Sequence, residues 1–273
     1  MSVPVSDATR LAELIAGDVY GKKLDLSARG IETDGFWQDL PTLTQVHRFR
    51  ARGVSEREVR RFLTFICAVD YMRPAAALWR DGGVLFDKHP EVFDPSHAST
   101  MAFDELRELL RAHRVSKKHR PDSNAWRRIA RNLAVGQGAV ARVVHDGNGD
   151  AEDVLRDLRR KTGGQARYPL LRGPKIGPMW LRIMVDPGGA RISRMELVPV
   201  AVDVQVRRVT ENLGMTDTKG LSLRRAKPLI QCAWRDAVQD ADFGGARSIE
   251  NTCAALDPAL WFFGVHGCSH CDK

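Results

Sequence analysis

Asp203 stands where a carboxylate can do chemistry. It closes the apolar approach Val198-Pro199-Val200-Ala201-Val202 and opens Val204-Gln205-Val206-Arg207-Arg208-Val209, whose spacing predicts a helix over 204–212. A carboxylate fixed at such a start can steady a developing cation or orient water. The position equally suits a helix N-cap, and both roles are compatible. A second segment precedes it: Leu170-Leu171-Arg172-Gly173-Pro174-Lys175-Ile176-Gly177-Pro178-Met179-Trp180-Leu181-Arg182-Ile183-Met184. It reads as a short helix, a turn bounded by Gly173 and Gly177, and a second helix with Pro178 at its first position. Such a turn aims backbone N–H groups and a positive helix start outward, so a phosphate can approach without sequence being read. Gly177 permits the approach, while Lys175 and Arg182 add charge. The same spacing also serves as plain connection between two helices.

Further upstream runs Phe65-Ile66-Cys67-Ala68-Val69-Asp70-Tyr71-Met72-Arg73. At its end Tyr71 can stack, Arg73 can reach a phosphate or a base, and Asp70 can accept from an amino group of cytosine or adenine. The alternative places Tyr71 and Met72 in the core at a helix end. The chain closes on His266-Gly267-Cys268-Ser269-His270-Cys271-Asp272-Lys273. Cys232 and Cys253 could join Cys268 and Cys271 in an iron–sulfur site, or His266 and His270 could serve zinc. A free thiol pair is the simpler reading, and no metal or other cofactor is expected.

Together the hairpin, the Val202-Asp203-Val204-Gln205-Val206-Arg207-Arg208-Val209 segment and the 65–72 run resemble the helix-hairpin-helix DNA glycosylases, the superfamily of endonuclease III and 8-oxoguanine DNA glycosylase. The resemblance covers roughly residues 55–265. It implies an all-α fold of two helical subdomains with the cleft between them: an N-terminal extension over 1–50, a six-helix barrel over about 66–190, and a terminal bundle from 51–65 and 191–273. Asp203 would face the deoxyribose of an extruded nucleotide, where rupture of the N-glycosidic bond builds positive charge. Gly173, Lys175, Gly177, Arg182 and Arg207 would hold DNA, and Asp70, Tyr71 and Arg73 would plug the gap left by the flipped base. Lyase members carry a lysine two residues after the second hairpin glycine; here Met179 stands there. The resemblance therefore implies a monofunctional enzyme that uses water, with Lys175 the remaining lyase candidate. Oxidised purines, alkylated or mismatched bases and bulky modified cytosines of phage DNA are the substrate classes it allows, in repair or in defence. A helix-hairpin-helix module that binds DNA without catalysis is the competing reading, and a redox or metal protein using the cysteine tail is a third.

Other elements follow from punctuation. Ser55-x-x-Glu58 forms a capping box ahead of Val59, Phe62, Leu63 and Ile66. Leu106, Leu109 and Leu110 share one face of a helix over 104–114. Asp122 or Ser123 can cap the helix of Trp126, Ile129, Ala130 and Leu133, with Arg127, Arg128 and Arg131 on its outer face as phosphate trackers or solvated charges. Asp150 caps a helix that Gly163-Gly164 ends. Further helices are expected near 6–17, 178–185, 223–239 and 248–265, and Val198–Val206 is the single β-like stretch. The first 50 residues hold one short helix and then an irregular stretch through Gly30, Asp34, Gly35 and Pro41. An excess of 42 basic over 34 acidic residues favours a polyanionic partner. With no apolar run near membrane length, no leader-like N-terminus and an odd number of cysteines, a soluble cytoplasmic monomer that binds double-stranded DNA is expected.

Overall fold

A computed structural model describes residues 4–20, 40–243 and 252–268. Its helices are α1 (Val5–Tyr20), α2 (Pro41–Ala51), α3 (Glu56–Ala68), α4 (Ala75–Lys88), α5 (Pro95–Thr100), α6 (Phe103–Ala112), α7 (His119–Val135), α8 (Ala139–Asp146), α9 (Ala151–Arg159), α10 (Ile176–Val185), α11 (Val204–Asn212), α12 (Leu223–Val238) and α13 (Cys253–Phe262), the last running into a π-turn over Phe263–Gly267. Four strands of two or three residues complete it: β1 (Asn148–Asp150), β2 (Lys161–Thr162), β3 (Gln165–Ala166) and β4 (Arg191–Ser193). The chain is predominantly helical, as the punctuation predicts. Among the described residues, no helix is long and apolar enough to cross a membrane.

Two compact units divide the chain. One is continuous, Leu40–Arg194; the other joins Met1–Asp39 to Met195–Lys273. This division groups α3 with the segments that follow it, whereas the family resemblance assigns 51–65 to the terminal bundle. The irregular stretch expected through Gly30, Asp34 and Gly35 lies outside the described residues; Pro41, expected within it, instead opens α2 at its first position, where a missing N–H costs nothing.

The continuous unit is built on aromatic packing. Phe49 meets Phe62 edge to face at 4.8 Å, Phe65 stacks on Trp126 at 4.7 Å, and Phe93 touches Phe62, Phe65, Phe86 and Trp126. Such rings each contribute about 2 kcal/mol or more through burial. The capping box of α3 forms as expected, with Glu58 N donating to Ser55 Oγ and Ser55 N donating to Glu58 Oε2. Asp150 caps α9 by accepting from Glu152 N and Asp153 N, and its carboxylate also holds the Arg194 guanidinium beside the parallel β1–β4 pair.

Three local expectations are corrected. Gly163 and Gly164 do not end a helix; α9 stops at Arg159, and both glycines sit at positive φ in the turn of the β2–β3 hairpin. Asp122 and Ser123 do not cap α7, which starts at His119. The β-like stretch 198–206 forms no strand; 198–203 lead into α11, and 204–206 are the first turn of that helix.

The discontinuous unit packs α1 against α12 and α13. Its buried face is aliphatic around Trp234, whose indole N–H donates to Thr210 Oγ1 at 2.8 Å while that hydroxyl donates to Val206 O. The continuous unit repeats the device: Trp180 Nε1 donates to Thr64 Oγ1 at 3.0 Å, and Thr64 donates to Arg60 O. In both, a threonine mid-helix returns its hydroxyl to the previous turn and so satisfies a buried indole.

Candidate functional site

Asp203 is half-buried at the start of α11, with an extended backbone and Oδ1 accepting from Gln205 N at 2.8 Å and Val206 N at 3.1 Å. Its approach is pinned from two helices. Asp257 on α13 accepts from Ala201 N at 2.7 Å, and Gln231 on α12 donates to Val200 O at 3.1 Å. Val198, Val200 and Val202 are buried. A Cβ on Gly264 would stand 2.8 Å from Gln205 O, so a residue without a side chain is what lets the π-turn lie against α11. Sequence places the carboxylate; these contacts fix it.

Arg207 and Arg208 are not presented for a phosphate. Arg207 pairs with Glu211 at 2.8 Å and donates to Leu221 O and Thr218 O, tying down the loop after α11. Arg208 donates to Gln205 Oε1 and Gly264 O. Both guanidiniums work inside their own unit.

In the continuous unit the hairpin departs from expectation. Residues 169–175 form turns rather than a first helix, with Leu170 at φ +68°, and α10 opens at Ile176 rather than at Pro178. Lys175 occupies the N-cap position in right-handed helical backbone. Gly177 is buried, and its N–H donates to Gly173 O at 2.9 Å. A Cβ there would lie 2.9 Å from Leu171 O and 3.6 Å from Leu158 Cδ1. The chain's own turn therefore demands this glycine. Lys175 and Arg182, both half-buried, lie within electrostatic reach of the Cys67 thiol at the end of α3; burial and Asp70 push that thiol up, and the two cations pull the other way.

The turn between α3 and α4 sorts its residues sharply. Asp70 is buried, and its Oδ2 accepts from Trp79 Nε1 at 3.2 Å, so it braces α4 rather than facing a base. Tyr71 donates its hydroxyl to Asp122 Oδ1, and burial together with that carboxylate pushes the phenol well above its ordinary range. Arg73 donates to Arg114 O at 2.5 Å. Met72 points out, 69% exposed at φ +55°. Asp122 is wholly buried, and its Oδ2 accepts from Lys117 N at 2.7 Å and Lys118 N at 2.8 Å. One carboxylate thus joins the α3–α4 turn to the loop between α6 and α7.

Sequence reasoning missed that junction, reading Asp122 as a cap. The basic run Lys117-Lys118-His119-Arg120, which crosses from the α6–α7 loop into the start of α7, gives no sign of it, because the groups that bind Asp122 are the Tyr71 hydroxyl and two backbone amides. On α7, Arg127 and Arg128 are half-buried and Arg131 is exposed. Of the cysteines, Cys232 is exposed, Cys253 and Cys268 are buried, and Cys271 and His270 lie outside the described residues. Burial pushes the Cys253 thiol up to about 12. Among the described residues, no three His, Cys, Asp or Glu side chains group to hold a metal ion. No protein-family profile matches the sequence, and comparison with curated proteins and with solved structures returns no significant match.

Proposed function

We propose that the chain is a monofunctional DNA N-glycosylase of the helix-hairpin-helix type, a cytoplasmic monomer that extrudes a damaged or modified base from duplex DNA and hydrolyses its glycosidic bond. The observation that carries this reading is the mounting of Asp203: a half-buried carboxylate held by two backbone N–H groups at the start of α11, on an approach anchored by Asp257 and Gln231. Bond rupture leaves an oxocarbenium-like sugar. A carboxylate that does not have to reorganise as charge appears stabilises that state more than a mobile one, and removing such an electrostatic group costs about a hundredfold to a thousandfold in turnover. Water completes the hydrolysis, giving free base and an abasic site. Met179, where a lyase lysine would stand, supports hydrolysis without strand cleavage.

Genomic DNAs of differing modification, incubated with the full chain and assayed for free base by mass spectrometry, test the proposal and identify the base. Asp203→Asn is expected to bind duplex DNA normally and to lose release by at least a hundredfold. Release unchanged in Asp203→Asn, or none by the parent chain from any DNA, overturns it. Borohydride should trap no protein–DNA adduct; an adduct lost in Lys175→Ala would make the enzyme a lyase.

A further inference from the structure

We infer that the β2–β3 hairpin is an arm that grips the backbone of duplex DNA, with Arg159, Arg160 and Lys161 holding phosphates. The inference rests on the glycosylase reading for its partner and on none of the residues which that reading assigns to DNA. All three cations are exposed, and among the described residues none of them is in an ion pair. No carboxylate occurs in the sequence between Asp157 and Asp186. Three adjacent like charges repel one another in the free chain, and a polyanion that brings them phosphates also gains by releasing its own counterions.

The second observation is how the arm is mounted. At its base Arg160 O accepts from Arg167 N at 3.1 Å, and the Arg167 side chain is held by the body of the unit. Its guanidinium pairs with buried Asp157 at 2.8 Å and donates to Gln137 O at 3.0 Å and Asn132 Oδ1 at 3.2 Å, while Asn132 Nδ2 donates back to Arg167 O at 3.0 Å. The tip is the reverse. Gly163 and Gly164, at φ +58° and +75°, make the two-residue turn, and a Cβ built on either would meet nothing within 4 Å. From Arg159 through Gln165 every residue is exposed. The fold thus uses Arg167 to fix the hairpin and holds the other three cations of the segment out in water on a short, anchored stem. A pinned stem lowers the ordering cost of meeting a phosphate backbone, and a tip without side chains lets that backbone come close.

The test is equilibrium binding of the full chain to a short labelled duplex across a salt series, with acetylation footprinting of the lysines by mass spectrometry. Arg159→Gln/Arg160→Gln/Lys161→Gln is expected to bind at least tenfold more weakly and to lower the slope of log affinity against log salt by about 2 or more. Arg80→Gln/Lys88→Gln/Arg111→Gln removes equal charge from scattered exposed positions of the same unit and should keep the slope. In the parent chain, saturating duplex should protect Lys161 from acetylation and leave Lys88 as reactive as before. Circular dichroism melting checks that both variants fold, and the footprint, read on the parent chain, decides without them. An arm variant with the parent slope, a control variant that loses as much, Lys161 left unprotected, or a single-stranded RNA or anionic vesicle bound more tightly than the duplex through the same three cations overturns the inference. Base release by a parent chain whose arm variant binds normally sinks the arm alone; binding through the arm with no base released from any DNA sinks the glycosylase reading alone.

Discussion

The 168–177 turn and the 69–74 turn of the continuous unit are built from similarly unusual backbone, and they dispose of it in opposite ways. In the first, Leu170 sits at positive φ while the residues around it pack inward: Tyr168 and Leu171 are fully buried, and Gly177 is pressed against Leu171 O. In the second, the neighbours are drawn inward and the strained residue itself, Met72, is left in water. A motif glycine can exist for the chain's own packing. A strained apolar residue pushed outward has no such internal justification, and it is the better guide to a contact surface.

The largest expected effect collapses the contrast at its exposed end. Asp122→Ala strips a buried acceptor from Tyr71 and two amides and should lower unfolding stability by about 2–4 kcal/mol, measured in urea. A loss under 1 kcal/mol would mean that the turn is not held from Asp122. Next, Gly177→Ala meets a carbonyl oxygen and should cost about 1–3 kcal/mol. Duplex affinity should then change no more than folding does; weaker binding at parental stability would show that this glycine serves a phosphate after all. Met72→Gly should be slightly stabilising: relief of left-handed backbone is worth about 1–2 kcal/mol, offset by roughly 0.5–1 kcal/mol of glycine entropy. Met72→Ala, which keeps the strain, should show no gain in melting temperature. The smallest effect is a rate. Cys67, fully buried just before the exposed turn, should resist iodoacetamide in the native chain and label faster in Asp122→Ala, whereas exposed Cys232 labels at one rate in both.

What the sequence made legible was local. The capping box at Ser55, the cap at Asp150 and the start of α11 at Asp203 depend on residues two or three positions apart, and all three form. Residues whose partners come from distant segments were misread for that reason. Asp122 has the type and place of a cap, yet Tyr71, 51 residues earlier, claims it. Arg207 looked like a phosphate ligand because its partners, the carbonyls of Thr218 and Leu221, have no signature in the sequence. Gly163-Gly164 fits both a helix end and a hairpin turn, and only pairing of Lys161 with Ala166 decides between them. For the candidate site, Asp203 and its local mounting could be read in advance; the fixing of its approach by Asp257 and Gln231 could not.

The division of the chain also dictates an order of assembly. Because α1 packs on α12 and α13, it leaves the ribosome before its partners are made, while the stretch 40–194 is contiguous in synthesis and its last strand pair closes when β4 follows. The 40–194 unit can therefore mature first, and the amphipathic face of α1 must wait, exposed or chaperoned, for α12 and α13. A circular permutant that joins α1 behind α13 would remove that wait, turning a split unit into one continuous in synthesis.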